Sequence, residues 1–316
     1  MAGSFKKIDY RLRPAKHAER VMLCDLFRRM RFAPPEDYQY VGFGSVAFID
    51  FRLVHRTLGI REMISIEETS DENEQDRFGR NKPYAGLALH FGHSSEILPT
   101  LNFQKKSIVW LDYDGLLTRS MATDMAIVAE NLTSGSFIGA TFTSDFPTVG
   151  DRRTDELARL KGQFPEYVPD DTRPQAFDGG RIGEFGRTTL GSLLEQALAN
   201  ADAGKPPEQA RRAHQVCFFR YSDGAPMVTV GWIVAAVGDQ ALLEASHLSA
   251  LPFFRDGAAA FRIKIPLVTP HEVREMERRL PEWADADDLN WIPESERTAF
   301  YGIYRYLPHF AAMEPT

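Results

Sequence analysis

Cysteine is almost missing from this chain. Cys24 and Cys217 stand far apart among 316 residues, which leaves no disulfide framework and no zinc-ligand spacing and points to a reducing compartment. No apolar run is long enough to cross a bilayer, and the first residues lack the pattern of a signal peptide. The expectation is a soluble, cytoplasmic protein with no membrane partner. An excess of positive charge is also missing. The formal net charge of −7 argues against an overall nucleic-acid footprint, though not against a local one. Internal repeats and low-complexity tracts are absent. The length fits one large or two modest domains, and 43% apolar residues suffice for a core.

The richest stretch runs from Tyr38 to Glu68. Tyr38 to Val41 is aromatic and β-branched and favours a strand. Gly42-Phe43-Gly44-Ser45 follows at once, where glycines allow a sharp turn and close approach of a ligand to bare backbone. From Val46 to Leu58, Phe48, Phe51, Val54 and Leu58 recur at helical spacing, and Gly59 stops the helix. Met63 to Ile66 is a second strand ending in Glu67 and Glu68. One βαβ unit thus carries a glycine turn after its first strand and a carboxylate after its second. Helix N–H groups at the turn and an acid able to accept from ribose hydroxyls suit a nucleotide-like ligand.

Before this unit, the segment Phe5 to Phe32 is basic, with Lys6, Lys7, Arg11, Arg13, Lys16, Arg20, Arg28, Arg29 and Arg31 against Asp9, Glu19 and Asp25. Leu23, Leu26, Phe27 and Met30 share one helical face, Pro14 suits the first turn and Pro34-Pro35 ends the pattern. The expectation is a helix packed on the core with a solvated basic face. A phosphate-binding or acidic-partner surface is the alternative.

Downstream, Asp71 to Lys82 reads as a helix and Leu87 to Phe91 as a third strand, with His90 and His93 spaced so that they do not face one another. Ser107 to Leu111 reads as a buried parallel strand running into Asp112-Tyr113-Asp114-Gly115. Acids there are costly to bury unless they bond something. Either one caps the next helix, whose apolar face is Met121, Met125, Val128 and Leu132, or both serve a ligand site at the strand ends. Gly135 to Thr143 is a fifth strand. The polar region Asp145 to His214 holds helices at Arg152–Lys161 and Thr188–Ala201, and is a lid, a substrate-selecting insertion or decoration. Val216–Tyr221 and Met227–Val237 flank Asp223-Gly224 and form a hairpin. The tail adds a strand at Phe261–Pro266, a capping box at Thr269 and Glu272, and a last helix whose stripe of Phe300, Tyr301, Tyr304 and Tyr306 packs on the main domain.

This order of elements resembles the class I S-adenosylmethionine-dependent methyltransferases over roughly Tyr38 to Val237, nearest to the O-methyltransferases. Val41 to Ser45 is similar to the family's glycine-rich motif, Ser65-Ile66-Glu67 to its second-strand motif, Gly92 to Pro99 to the loop after strand three, and Val109 to Asp114 to its fourth-strand motif. Departures are Tyr40 in place of an acid, Val46 in place of a third glycine, and His93 in place of the acid that contacts adenine.

The resemblance implies an α/β, Rossmann-like, mostly parallel sheet with a terminal antiparallel hairpin and helices on both faces. It implies S-adenosylmethionine as cofactor, with Gly42, Gly44 and Ser45 at the methionine part, Glu67 at the ribose, Glu68 also in the cofactor-binding set, His93 or Ser94 at the adenine, and Asp112 and Asp114 facing the methyl and the acceptor. Asp112, Asp114 or His93 would take the acceptor's proton. No asparagine partner follows strand five beside Ser144-Asp145, so no metal is expected. The organisation implied is a basic helical segment over 1–36, a methyltransferase-like domain over 37–240 with an insertion over 145–214, and a strand-helix extension over 241–316.

Three other readings compete with methyl transfer to oxygen on an unidentified acceptor. One is a binding partner with a degenerate site. Another is a nucleic-acid methyltransferase using the basic N-terminal segment. The last is an NAD-dependent oxidoreductase, since Gly42 to Ala47 fits G-x-G-x-x-A.

Overall fold

The computed structural model describes residues 13–282 and 287–308. Lys6, Lys7, Asp9 and Arg11 of the basic segment lie outside the described residues. The elements in chain order are α1 (Pro14–Arg29), β1 (Gln39–Gly42), α2 (Ile49–Leu58), β2 (Glu62–Glu67), α3 (Glu72–Asn81), β3 (Leu87–Phe91), α4 (Ser94–Ile97), β4 (Ser107–Leu116), α5 (Arg119–Asn131) and β5 (Ser136–Thr143). There follow α6 (Asp151–Gln163), α7 (Arg181–Ala201), β6 (Arg211–Ser222), β7 (Pro226–Ala236), α8 (Gln240–Ala245), β8 (Phe261–Arg262), α9 (Pro270–Glu277) and α10 (Glu294–Ile303).

All described strands form one sheet in the order β3-β2-β1-β4-β5-β7-β6-β8. The first five are parallel, and β7 enters antiparallel between β5 and β6. Side chains alternate across a strand, so consecutive residues serve opposite faces. Tyr40, Ile108 and Phe137 join one buried cluster with Leu23, Phe27 and Phe51 of α1 and α2. Val41, Val109 and Ile138 join the other with Met125 and Val128 of α5 and Leu190 and Leu194 of α7. Helices therefore cover both faces, which is why the inner strands read as unbroken apolar runs. A smaller cluster of Met276, Leu289, Ile292, Phe300 and Tyr301 holds α9 and α10 together.

Several expected boundaries move, each for a physical reason. The helix expected from Val46 begins only at Ile49, because Ser45 (φ 53°) and Phe48 (φ 48°) are left-handed and cannot continue a right-handed helix. The first helical N–H groups therefore lie several residues past the second glycine. β4 outruns Leu111, but its regular pairing with β5 ends at Asp112 opposite Thr141, so Asp112 still marks the end of the ordered ladder. α7 starts at Arg181 rather than Thr188 and fills core space against α5. The strand at Phe261 is two residues long.

The largest correction concerns α1. Its apolar face is buried as expected, yet Lys16 and Arg20, placed on a solvated basic face, are 0% and 4% exposed. Arg28, in contrast, is exposed. The helix lacks a side-chain cap from its own N-terminus. Asp223 in the β6–β7 turn supplies one instead, accepting from Ala15 N–H at 3.0 Å and Lys16 N–H at 2.8 Å. At the chain's other end, Tyr306 donates to Asp25 of α1 at 3.0 Å.

Candidate active site

A cavity of about 400 Å³ opens where β1, β2 and β4 end. Gly44, Ser45, Glu67, Glu68, His93, Ser94, Asp112 and Asp114 all line it. Of the sequence-predicted residues only Gly42 does not. A Cβ there would lie 2.9 Å from the Trp110 carbonyl, so this glycine lets β1 sit close to β4.

Gly44 has a more direct part. Its N–H donates to Glu67 Oε1 at 2.9 Å, and Ser65 Oγ donates to the same oxygen at 2.6 Å. A Cβ at Gly44 would meet Ser65 Oγ at 2.5 Å, Phe48 Cδ1 at 2.6 Å and Glu67 Oε1 at 2.8 Å. The acid after the second strand thus clamps the glycine turn after the first. Burial pushes the Glu67 carboxyl up to about 7, although the bonds from Ser65, Gly44 and Ser45 pull it back. Glu68, next in chain, points to the exposed side.

At the far end, His93 caps α4. Its Nδ1 accepts from Ser95 N–H at 3.3 Å and stands 2.6 Å from Ser95 Oγ. Ser94 Oγ donates to Asp124 Oδ2 at 2.6 Å, and Tyr113 OH donates to the same oxygen at 2.8 Å. Asp124, on α5 and almost fully buried, ties the start of α4 to β4 and fixes the Tyr113 ring, which packs edge-on against Phe43 of the glycine turn. Sequence reasoning missed Asp124, since nothing in an apolar helical face marks which polar member turns inward.

Asp112 is held from α1. Lys16 Nζ lies 2.7 Å from Asp112 Oδ1, 2.9 Å from Glu19 Oε2 and 3.1 Å from the Tyr221 hydroxyl, and 4.4 Å from the centre of the Trp110 ring. Burial alone would raise the Asp112 carboxyl, but the Lys16 charge and hydrogen bond, with Arg20 and Arg13, bring it below the ordinary range. Glu19 goes the other way: burial raises it more than Lys16 lowers it, and Asp112 adds to the rise. One turn along α1, Arg20 lines the cavity and pairs through Nε with Asp50, which also lines it. The only sequence signal for this pair was the four-residue spacing of Lys16 and Arg20, which puts both on one helix face.

A mostly parallel sheet with this strand order and an antiparallel β7, an acid-ended β2 clamping a glycine turn, and an acidic pocket at the strand ends define the class I methyltransferase architecture. The family described as "Putative O-methyltransferase" matches residues 8–315. The chain belongs to that family.

No curated protein matches it. Among solved structures, the O-methyltransferase TomG of Streptomyces achromogenes, in complex with SAM, is 14% identical over 72% of this chain and 91% of its own, with a TM-score of 0.38. The SAH-bound methyltransferase PaMTH1 of Podospora anserina is 10% identical over 72% and 80%, with a TM-score of 0.34. LepI in complex with SAM is 9% identical over 67% of this chain, with a TM-score of 0.36, and this chain spans 46% of LepI's length. Among the described residues, no helix is long and apolar enough to cross a membrane.

Proposed function

We propose that this chain transfers a methyl group from S-adenosylmethionine to an oxygen of an acceptor molecule. The observation that carries the reading is a single cavity that joins the glycine turn, the Glu67 carboxylate and the Asp112–Asp114 strand end. Its volume, about 400 Å³, falls in the usual range for small-molecule sites, roughly 300–1,000 Å³.

The residues fit the cofactor part by part. Glu67 takes Gly44 and Ser65 on Oε1, and its carboxylate would accept from the ribose hydroxyls, with Glu68 beside it. Ile66, Tyr113 and Met121 line the same cavity and supply apolar surface for adenine, with His93 and Ser94 at its edge. Gly44 and Ser45 lie where the methionine arm would pass.

When bound, S-adenosylmethionine supplies a methyl group already activated on a sulfonium, so the chain's task is alignment, exclusion of water and removal of one proton. Asp112 is held ionised by Lys16, which makes it a weak base and a fixed negative charge facing a cationic ligand. Proton removal from the acceptor hydroxyl falls to Asp114 or His93, both at the more open rim. The chain moves that proton as the methyl passes from sulfur to oxygen. The two free, buried thiols, Cys24 and Cys217, suit a reducing cytoplasmic setting.

Calorimetric titration with S-adenosylmethionine, S-adenosylhomocysteine and NAD⁺ tests this reading. Micromolar binding of the first two is expected, weakened at least tenfold in Asp112→Asn with turnover reduced more than stability. Binding of NAD⁺ alone would overturn it.

A further inference from the structure

Lysine is almost never buried completely unless it is paired. Lys16 is 0% exposed, and so is Glu19, one turn further along α1. Neither lines the cavity. Both lie behind it, between α1 and the sheet, and Asp112 is the member of their cluster that reaches the ligand space.

The Lys16 ammonium has three protons and three oxygen neighbours: Asp112 Oδ1 at 2.7 Å, Glu19 Oε2 at 2.9 Å and the Tyr221 hydroxyl at 3.1 Å. The centre of the Trp110 ring, 4.4 Å from the same nitrogen, favours a cation there. Glu19 is less well served. Its buried Oε1 lacks a well-formed hydrogen bond, and its neighbour Thr229 of β7 already shares a 2.6 Å bond with Thr141.

Two carboxyls therefore compete for one lysine in a space without water. Ionising both would leave a negative charge uncompensated there, which is strongly unfavourable, so the cluster keeps one proton between them. The surrounding charges decide where it rests. Arg20 on α1 and Arg13 just before it act on Asp112, with Asp50 of α2 offsetting part of Arg20. Glu19 faces Lys16 and Asp112 together with Tyr221 and Cys217 of β6. Burial pushes up those two groups and Tyr40 of β1, so all three stay neutral. The additional cations stand on the Asp112 side, which leaves the proton to Glu19.

We propose that Lys16 and Glu19 are positioning residues for Asp112: Glu19 keeps the proton, the lysine charge goes to Asp112, and the cavity wall presents a carboxylate that prefers a sulfonium ligand to its neutral thioether product. This rests on the S-adenosylmethionine reading and deepens it. The attraction that draws the cofactor in ends when the methyl leaves, which aids release of the product.

The test is calorimetry on the full chain with S-adenosylmethionine and S-adenosylhomocysteine at about pH 5 and about pH 8. These ligands differ only in the methyl and its charge, so contacts to their shared parts cancel in the ratio of affinities. Glu67, Glu68 and Asp114 also line the cavity, and their charge acts alike in every variant, so each variant is read against wild type.

The double variant Lys16→Met with Glu19→Gln leaves Asp112 without its lysine. Burial then raises that carboxyl, and the preference for S-adenosylmethionine should fall roughly tenfold below wild type at the lower pH and recover at the higher. Glu19→Gln alone copies the protonated acid and should keep the wild-type ratio within about twofold at both. A double variant that follows wild type throughout, or a Glu19→Gln ratio that departs from it with pH, would overturn the assignment and leave the cofactor reading standing.

Urea unfolding gives a second readout without ligand. A proton held by Glu19 in the folded state and released from the unfolded chain makes wild type lose stability relative to Glu19→Gln as pH rises over the same interval. A constant or growing wild-type advantage would refute the proposal even if the double variant does not fold. Failure of wild type to bind either ligand would overturn both readings.

Discussion

Replacing Glu67 by glutamine isolates the one carboxyl that joins the glycine turn to the second strand. Glutamine can keep an acceptor oxygen toward Gly44 N–H and Ser65 Oγ but cannot ionise. In the folded wild type, burial raises this carboxyl from 4.5 to about 7. The folded state then holds the proton more tightly than the unfolded chain between those values. Stability from this group is complete below about pH 4.5, falls as pH rises, and is gone above about pH 7.

A displacement of that size corresponds to about 3 kcal/mol. Most of it, about 2–3 kcal/mol, is lost between pH 5 and pH 8. Urea unfolding of wild type and Glu67→Gln across that interval gives the difference between the two proteins at each pH, which cancels groups titrating equally in both. The wild type should lose about 2–3 kcal/mol relative to the variant as pH rises. Ribose hydroxyls donate to the ionised form, so wild-type affinity for S-adenosylhomocysteine should strengthen over the same range while the variant's stays flat and weaker. A stability difference constant to within about 0.5 kcal/mol would refute the argument that burial sets this group's protonation.

Two further substitutions probe the frame of the site. Asp223→Ala removes the acceptor for two N–H groups that begin α1, and should cost roughly 1–2 kcal/mol in denaturant unfolding. Because α1 carries Lys16 and Arg20, cofactor affinity should fall with it; unchanged affinity would mean that this helix holds its position without the hairpin. Gly44→Ala forces a methyl into contacts of 2.5 to 2.8 Å, which overpacking puts at roughly 1–3 kcal/mol. It should also loosen the Gly44–Glu67 bond and lower S-adenosylhomocysteine affinity at least tenfold, measured by calorimetry, whereas wild-type binding would show that the turn yields freely.

Much of this protein follows from local pattern. Alternating and unbroken apolar runs locate the strands because their period is two residues or because both faces are buried. Helical spacing in Leu23, Leu26 and Phe27 finds α1, and Thr269 with Glu272 finds the start of α9, where the capping box is present. The glycine turn and Glu67 were legible together, since a strand, a turn and a second strand in sequence bring them to one place.

What tertiary structure alone decided lies elsewhere. Lys16 reaches Asp112 across 96 positions and Asp223 caps α1 across 208. Which charged residue of an amphipathic helix turns inward depends on a partner from another part of the chain, and no local period records that partner. Likewise, the left-handed Ser45 and Phe48 delay α2, although the apolar spacing from Val46 onward already reads as helix. Secondary structure is set by neighbours in sequence, and a buried charge is set by neighbours in space.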